Sequence, residues 1–452
     1  MRTGSVRLTQ GKTDRYLLQG ALWIGVYLLL ILAPVLLLLI GPTPPRRGFW
    51  IEFSVALGFS GLSMLGLLFA MTARFRHMAA PYGIDVVYHF HRQISLVALL
   101  LILAHPVILF VAEPETRRLL NPISAPWRAQ AAWAATLAFV LVALTSFWRK
   151  RLRIPYEPWR LMHGGLATAG IAFAMAHVIG VNHYVGTPLK RVLWVALAVG
   201  WVGLLAYVRV VKPWMMLRRP YEVEAVMEER GDSWTLTVRP DGHEGFGFKP
   251  GQFAWLTVWN SPFAIKEHPF SFSSSAADSG KFSFTVKELG DFTETVKEIR
   301  PGERLYLDGP HGQFSVDRWG GPQNVFVAGG IGVTPIMSML RTLADRGDRR
   351  PLLLVYASKT WEDVIFREEI EGLEERLNLR VVHVIEAPPD GWEGERGYVT
   401  AAVLDRHLPE GREECEYFIC GPDPMMDAVE VALHEEMGVP LGRIHSERYN
   451  LV

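Results

Sequence analysis

Four histidines with one repeated spacing stand in two apolar stretches of the sequence. His91 and His105 are 14 residues apart, and so are His163 and His177. Such a segment of α-helix rises about 21 Å and completes nearly four turns, so both histidines of a stretch face the same way at two levels. If the two helices run in the same direction, the histidines meet as two pairs. The spacing therefore predicts two sites with two imidazole ligands each.

Two facing imidazoles at each of two depths suit two stacked haems, because imidazole is a common axial ligand of haem iron. The sequence has no Cys-x-x-Cys-His motif, so the haems would be of the b type and bound without covalent links. A copper or zinc site would gather its ligands at one depth instead, and a lone histidine within a membrane could bond a neighbouring helix or relay protons. Two pairs with matching spacing favour haem. Three glycines of the second stretch would let a macrocycle approach: Gly164, Gly165 and Gly170.

Long uncharged runs occupy the first half of the chain. A bilayer core needs about 20 apolar residues in a helix, whereas core helices of soluble proteins usually keep a polar face. We therefore predict a transmembrane domain at residues 1–215. Its expected spans are 16–40, 51–73, 86–112, 131–148, 158–181 and 191–211.

The distribution of Lys and Arg predicts the orientation of these spans. Basic residues are concentrated at the N-terminus, in the second and fourth connectors and after the sixth span. By the positive-inside rule, both termini and the second half of the chain would lie in the cytoplasm, with the spans in the inner (plasma) membrane. We interpret the first run as a retained helix rather than a signal peptide.

Composition excludes several classes of function. The formal net charge is zero, which gives no footprint for nucleic acid. Cys415 and Cys420 are the only cysteines. A disulfide framework, a four-cysteine zinc site and a cysteine-ligated iron–sulfur cluster within this chain are thereby excluded.

The second half is typical of a soluble protein with two domains. Short alternating strands with Gly and Pro turns predict a small antiparallel β-barrel at residues 219–316. From residue 322 to 452, strands alternate with helical stretches, which predicts an α/β domain with a doubly wound parallel sheet.

Three loops of these domains carry residues suited to binding cofactors. In EHPFSFSSS an aromatic ring could stack on a planar ring, a hydroxyl could bond a ring nitrogen, and an imidazole could meet a phosphate. In KELGDFTETV, Gly290 opens a turn and Thr293 begins a helix whose free N–H groups could hold a pyrophosphate. In VAGGIGVTP the glycines follow a strand and precede a helix, the arrangement that binds a dinucleotide pyrophosphate.

The order of motifs HPFS, GDFT, DGPHG, GGIGVTP and CGPDPM resembles the ferredoxin–NADP⁺ reductase-type flavin module. With six spans and paired histidines before it, the chain over residues 16–452 resembles the bacterial branch of the ferric reductase / NADPH oxidase superfamily. This resemblance implies an NAD(P)H oxidase or ferric-chelate reductase. Electrons would pass from cytoplasmic NADPH (or NADH) through FAD and two haem b to an extracytoplasmic acceptor, oxygen (giving superoxide) or ferric iron.

The same resemblance assigns roles to individual residues. It implies that FAD is bound by His268, Pro269, Phe270, Ser271, Gly290, Phe292 and Thr293, and that Tyr449 stacks on the flavin. It implies that the nicotinamide nucleotide is bound by Gly330, Gly332, Thr334, Pro335, Cys420, Gly421 and Pro422. Lys359, or alternatively Arg367, would meet a 2′-phosphate. Many oxidases carry a histidine one turn beyond the outer ligand, where this chain has Leu109, so the acceptor stays open between oxygen and ferric iron.

Two other functions fit the sequence. The chain could be a membrane-anchored flavin reductase that serves a cytoplasmic partner, although the missing iron–sulfur cysteines argue against this function. It could also be a redox-sensing membrane scaffold without NAD(P)H turnover. For the favoured function we expect no obligatory protein partner.

Overall fold

The computed structural model describes residues 3–42, 44–75, 84–264, 266–278 and 280–448. Contacts within the chain divide it into two compact units, one of Thr13–Lys212 and one formed mainly by Pro213–Val452. All strands of the described chain lie in the second unit.

The first unit is a bundle of helices. They are α1 (Thr3–Leu36), α2 (Phe49–Thr72), α3 (Ile84–Ala112), α4 (Trp127–Phe147), α5 (Tyr156–Val181) and α6 (Pro188–Ala206). A π-helical turn, Tyr207–Val211, joins α6 to α7 (Lys212–Leu217). Six helices of the described chain are long and apolar enough to cross a membrane, in agreement with the prediction.

All six helices begin earlier than the predicted spans. The starts of α4, α5 and α6 are Trp127, Tyr156 and Pro188. Apolar runs stop at the first charge, but a helix can continue past it. A proline stands at or just before each start, where its fixed φ suits the first turn and its missing N–H costs nothing. Large apolar side chains such as Leu29, Leu100 and Leu137 are exposed, as expected of a lipid-facing surface.

Glycines set how closely the helices approach. A Cβ on Gly61 would lie 2.8 Å from Ile102, so α2 and α3 pack nearly backbone to backbone. A Cβ on Gly170 would lie 2.6 Å from the Phe139 ring. Gly170 therefore makes room for α4, and not for a macrocycle as the sequence suggested. Gly165 has no atom within 4 Å of its Cβ position.

An antiparallel sheet opens the second unit. Its strands are β1 (Tyr221–Glu229), β2 (Ser233–Pro240), β3 (Phe253–Val258), β4 (His268–Ser271), β5 (Phe282–Lys287) and β6 (Arg304–His311), in the order β4-β3-β6-β1-β2-β5. A bridge between Phe272 and Phe284 joins the two ends of this order. Alternate apolar residues fill the interior, including Val223, Leu236, Leu256 and Phe284. The predicted antiparallel barrel is confirmed.

The remaining residues form the α/β domain. A short helix, α8 (Val316–Trp319), precedes it. The strands are β7 (Asn324–Gly329), β8 (Leu352–Ser358), β9 (Leu379–Ile385), β10 (Glu395–Arg396), β11 (Glu416–Cys420) and β12 (Ile444–Glu447). The helices are α9 (Val333–Asp345), α10 (Arg367–Arg376), α11 (Ala401–His407) and α12 (Asp423–Val431).

All strand pairs of this second sheet are parallel, in the order β10-β9-β8-β7-β11-β12. The chain leaves β7 toward β8 on one side and later returns to β11 on the other. In open parallel sheets, ligands bind beyond the carboxyl ends of the strands where the strand order reverses. That position is the crevice beyond the carboxyl ends of β7 and β11, so the strand order predicts a ligand site there.

Candidate functional site

The structure places the four histidines of α3 and α5 in two pairs. The ring centroids of His91 and His163 are 6.5 Å apart, and those of His105 and His177 are also 6.5 Å apart. An imidazole nitrogen lies about 2 Å from a metal that it ligates, so two rings on opposite sides of one iron have centroids roughly 6 Å apart. The spacing of each pair fits one iron between its rings.

Hydrogen bonds fix the tautomer of two of the histidines. Nδ1 of His105 is 2.9 Å from the carbonyl oxygen of Ser54, and Nδ1 of His177 is 2.8 Å from that of Arg128. Because a carbonyl only accepts, each Nδ1 carries the proton and donates it, which leaves the Nε2 lone pair available. Metal-binding histidines usually donate their second N–H in this way.

The pair His91 and His163 has fewer and longer hydrogen bonds than the pair His105 and His177. Nδ1 of His163 is 3.2 Å from the hydroxyl oxygen of Ser146. Nδ1 of His91 is buried and has no hydrogen-bond partner among the described residues. His89 is exposed, so it does not share the environment of His91 two residues later.

Sequence reasoning missed the residues that hold the histidines. A Cβ on Gly58 would lie 3.3 Å from Cγ of His105, so the glycine lets this ring reach the Ser54 carbonyl one turn away on α2. Backbone carbonyls such as those of Ser54 and Arg128 leave no signal in the sequence. Ser146 could have been suspected, since it is a hydroxyl near the end of a span.

The HPFS motif forms the edge strand β4 of the barrel. Its register opposite β3 puts His268 and Phe270 on one face and Pro269 and Ser271 on the other. The ring of His268 stacks on Phe292 from the GDFT loop at 3.8 Å and 8°, and Phe270 lies 6.0 Å from the same ring. The two motifs together present a group of stacked aromatic rings, which is suited to a planar ligand.

Thr293 closes the GDFT turn on itself. Its hydroxyl oxygen accepts hydrogen bonds from the backbone N–H groups of Leu289 and Gly290, at 2.8 and 2.9 Å. It also donates to the Gly290 carbonyl at 2.9 Å. The helix that begins at Thr293 is a short 3₁₀ helix, Thr293–Glu298. The N–H groups of Leu289 and Gly290 therefore already have an acceptor within the turn.

The GGIG and CGP motifs meet at the reversal point of the parallel sheet. A Cβ on Gly332 would lie 2.2 Å from the Cys420 carbonyl oxygen. A Cβ on Gly421 would lie 3.0 Å from the backbone of Gly329. Only residues without side chains can line this contact. Gly330 has a φ of +52°, which glycine adopts at little cost.

Side chains behind the loop hold its backbone. The Thr334 hydroxyl donates to the Ile331 carbonyl at 2.9 Å, and Pro335 is buried in the first turn of α9. The Tyr356 hydroxyl donates to the Gly330 carbonyl at 3.2 Å. Burial raises the pKa of Tyr356, so it remains a donor at any physiological pH. Sequence reasoning missed Tyr356, which looks like any aromatic of a buried strand.

The remaining predicted residues differ in accessibility. Lys359 is exposed just beyond β8, at the same edge of the sheet as Gly330. Arg367 is engaged elsewhere: its guanidinium lies 4.6 Å from the Trp361 ring and pairs with Glu368 at 3.2 Å. Cys420 has no exposed surface. Tyr449 lies outside the described residues.

Comparison with known families matches three parts of the chain. Residues 57–175 match the ferric reductase like transmembrane component, residues 226–314 an FAD-binding domain, and residues 326–431 the oxidoreductase NAD-binding domain. Fold and sites thus define a multi-pass membrane oxidoreductase that binds FAD and a nicotinamide nucleotide. The chain belongs to the family in which a ferric reductase-like transmembrane domain is fused to a ferredoxin–NADP⁺ reductase-type module.

Curated relatives match the second half of the chain. The glycine betaine monooxygenase reductase subunit of Chromohalobacter salexigens is 32% identical over 243 residues, which are 52% of this chain and 65% of the relative. Ferredoxin–NADP reductase B of Sorangium cellulosum is 35% identical over 220 residues, which are 47% of this chain and 89% of the relative. The chain therefore spans just under two thirds of the length of the first of these relatives. A solved structure, the ferredoxin reductase in carbazole 1,9a-dioxygenase, is 28% identical with a TM-score of 0.45, covering 51% of this chain and 69% of that one.

Proposed function

We propose that this oxidoreductase carries electrons from cytoplasmic NAD(P)H across the membrane to an extracytoplasmic acceptor, through FAD and two b-type haems. One observation carries the proposal: two histidine pairs with equal centroid distances of 6.5 Å, at two levels of the same two helices. Hydrogen bonds from Nδ1 of His105 and His177 support it, since they leave both Nε2 atoms for iron.

In this proposal His91 with His163, and His105 with His177, would each hold one haem through their imidazole rings. When bound, FAD takes up the two electrons of a hydride and releases them singly, and haem carries one electron at a time. His91 and His163 form the level nearer the cytoplasm, and His105 and His177 form the outer level, following the positive-inside orientation. His105 and His177 would both be engaged in holding the outer haem, so neither imidazole would be free to bind oxygen or a ferric chelate.

The soluble domains would align the nucleotide with the flavin. The aromatic group of His268, Phe270 and Phe292 offers a stacking surface for a planar ring system, and Ser271 and the Gly290–Thr293 turn lie beside it in sequence. Gly330 and Gly332 let a nucleotide pyrophosphate approach the start of α9, with Thr334 and Pro335 shaping that turn. Cys420, Gly421 and Pro422 lie at the carboxyl end of β11, beside the same crevice. Lys359 is the available cation for a 2′-phosphate, which favours NADPH.

The proposal is tested with the whole chain, purified after synthesis with a supply of haem and FAD. We expect a Soret band of six-coordinate b-type haem, and a reduced haem spectrum on addition of NADPH or NADH under anaerobic conditions. A yellow protein without a Soret band would overturn it. In sealed vesicles, superoxide and ferrous iron are then scored with oxygen and ferric citrate as acceptors.

A second candidate is a membrane-anchored flavin reductase for a separate cytoplasmic partner. The observation in its favour is the similarity of the second half to reductase subunits. It predicts flavin reduction by NAD(P)H without haem absorbance, so the same spectrum separates the two functions. A redox-sensing scaffold would show neither turnover nor haem.

A further inference from the structure

One face of the nucleotide-domain helix α9 is polar although the helix is buried. Ser338, Arg341 and Thr342 are three and four positions apart, so they project from the same side. Ser338 and Thr342 have no exposed surface. Buried polar groups cost free energy unless they are bonded, so their partners indicate what this face does.

All three side chains bind the backbone of one segment of the flavin domain, residues 273–276. The Ser338 hydroxyl donates to the Ser274 carbonyl at 2.7 Å, and Nη1 of Arg341 donates to the Ser273 carbonyl at 2.5 Å. The backbone N–H of Ala276 donates to the Thr342 hydroxyl at 2.8 Å. This segment directly follows the HPFS strand β4, so the hydrogen bonds from α9 begin two residues beyond Ser271.

Arg341 is the most constrained of the three. Its Nε and Nη2 donate to the two carboxylate oxygens of Glu369 at 2.7 and 2.5 Å, a bidentate pair. The guanidinium also lies 4.8 Å from the Phe366 ring. The group is therefore held from the side of α10 while it bonds the flavin segment, and it cannot swing away without breaking several contacts.

The start of the same helix is fixed against β11. Gly332 immediately precedes α9 and has no room for a Cβ beside the Cys420 carbonyl. Helix α9 is thus held at two places. Its first turn carries the GGIG loop, and its polar face bonds the segment 273–276 that follows β4.

We propose that Arg341 is a positioning residue, which together with Ser338 and Thr342 sets the distance between the nicotinamide and the flavin. This inference rests on the proposed function, in which the nucleotide lies at the start of α9 and the flavin against β4. Hydride transfer requires reacting atoms about 3–3.5 Å apart, and a misplacement of about 1 Å costs on the order of 100-fold in rate. The arginine acts through the backbone of Ser273, to whose carbonyl it donates.

The test is anaerobic stopped-flow reduction of FAD in the full chain, with NADPH and with NADPH deuterated at C4. For Arg341→Met we expect flavin reduction to slow by about tenfold or more, since the alignment is loosened. FAD content and nucleotide Kd should stay at wild-type values, and the deuterium isotope effect should be at least as large as in the wild type. Ser338→Ala should slow the reaction in the same direction by a smaller factor, and it carries the test if Arg341→Met does not fold.

Arg376→Met is the matched control. Arg376 pairs with Asp345 at 3.0 Å and so also joins α10 to α9, but within the nucleotide domain. It should leave the rate unchanged. An Arg341→Met chain that reduces its flavin at the wild-type rate, or that loses FAD, overturns the positioning role. A wild-type chain whose FAD neither nucleotide reduces would overturn the proposed function and this inference together.

Discussion

The imidazoles of His105 and His177 face each other at 6.5 Å between centroids, and each ring donates its Nδ1 proton to a backbone carbonyl of another helix. The acceptors, Ser54 and Arg128, belong to α2 and α4. Four helices thus determine the orientation of two rings. Such an arrangement is rigid, which favours a bound group that tolerates little displacement of its ligands.

Replacing one ligand of either level should remove one haem. We expect His91→Leu and His105→Leu each to lower the haem content per chain by about half, because each pair holds one iron. The pyridine haemochrome assay measures this ratio, and FAD reduction by NAD(P)H should persist in both variants. His89→Leu, at an exposed position two residues from His91, is the control and should keep the full haem content. Equal haem loss in all three variants would contradict the pairing.

The Ser146 hydroxyl should tune only one haem. If Nε2 of His163 binds iron, its Nδ1–H donates to Ser146, which makes the ring a stronger ligand and favours ferric iron. Ser146→Ala should therefore raise one of two midpoint potentials. A hydrogen bond contributes about 1 kcal/mol, so the rise should be up to roughly 40 mV for a one-electron couple.

Potentiometric titration followed at the haem absorbance bands measures this shift. Thr145→Ala is the matched control, since the neighbouring hydroxyl donates to the Leu141 carbonyl of its own helix at 2.7 Å. An equal shift in both variants, or a shift of both potentials in Ser146→Ala, would count against a direct effect of Ser146 on His163.

The uncharged runs were enough to predict the spans, because backbone groups in lipid must be hydrogen-bonded within a helix. The spacing of the four histidines was enough to predict that they form two pairs. The alternating strands likewise predicted the barrel and the parallel sheet. What sequence could not supply were contacts to backbone. The carbonyls of Ser54 and Arg128 would accept hydrogen bonds whatever side chains these residues had. The residue types therefore do not indicate that their backbone binds a histidine.

Glycines are a second case in which the sequence does not reveal the contact. Gly170 was expected to make room for a macrocycle, and it makes room for the Phe139 ring instead. A glycine indicates that another group packs closely against the backbone, but it does not identify that group. The Gly332 and Cys420 contact was foreseeable only in part, since the motifs GGIG and CGP are 88 positions apart in the sequence and are joined by the parallel pairing of β7 with β11.

Lys359 should determine the preference for NADPH over NADH. A hydrogen bond to a charged group contributes about 1.5–3 kcal/mol, so Lys359→Ala should raise KM for NADPH roughly 10- to 100-fold. KM for NADH should not change, because NADH lacks the 2′-phosphate. Steady-state FAD reduction with both nucleotides measures the ratio.

Arg367→Ala is the comparison for Lys359. Its guanidinium is engaged with Trp361 and Glu368, so its loss should lower stability and leave the NADPH to NADH ratio unchanged. A ratio that changes with Arg367 and not with Lys359 would transfer the role to the arginine.

His383 should make the folded protein sensitive to mild acid. This β9 residue lies outside the membrane spans, against the edge of Trp361, and its Nδ1 is buried without a partner among the described residues. Burial, and secondarily the nearby Arg367, lowers the pKa of His383 to about 4. In the unfolded chain the histidine has an ordinary pKa near 6.5, so between about pH 6.5 and 4 the unfolded state binds a proton that the folded state does not bind. The free energy of unfolding therefore falls as pH drops through this range. His383→Leu should flatten that part of the pH dependence, measured as the temperature at which bound FAD is released from the full chain. A wild type and a variant with the same acid slope would show that His383 does not contribute to it.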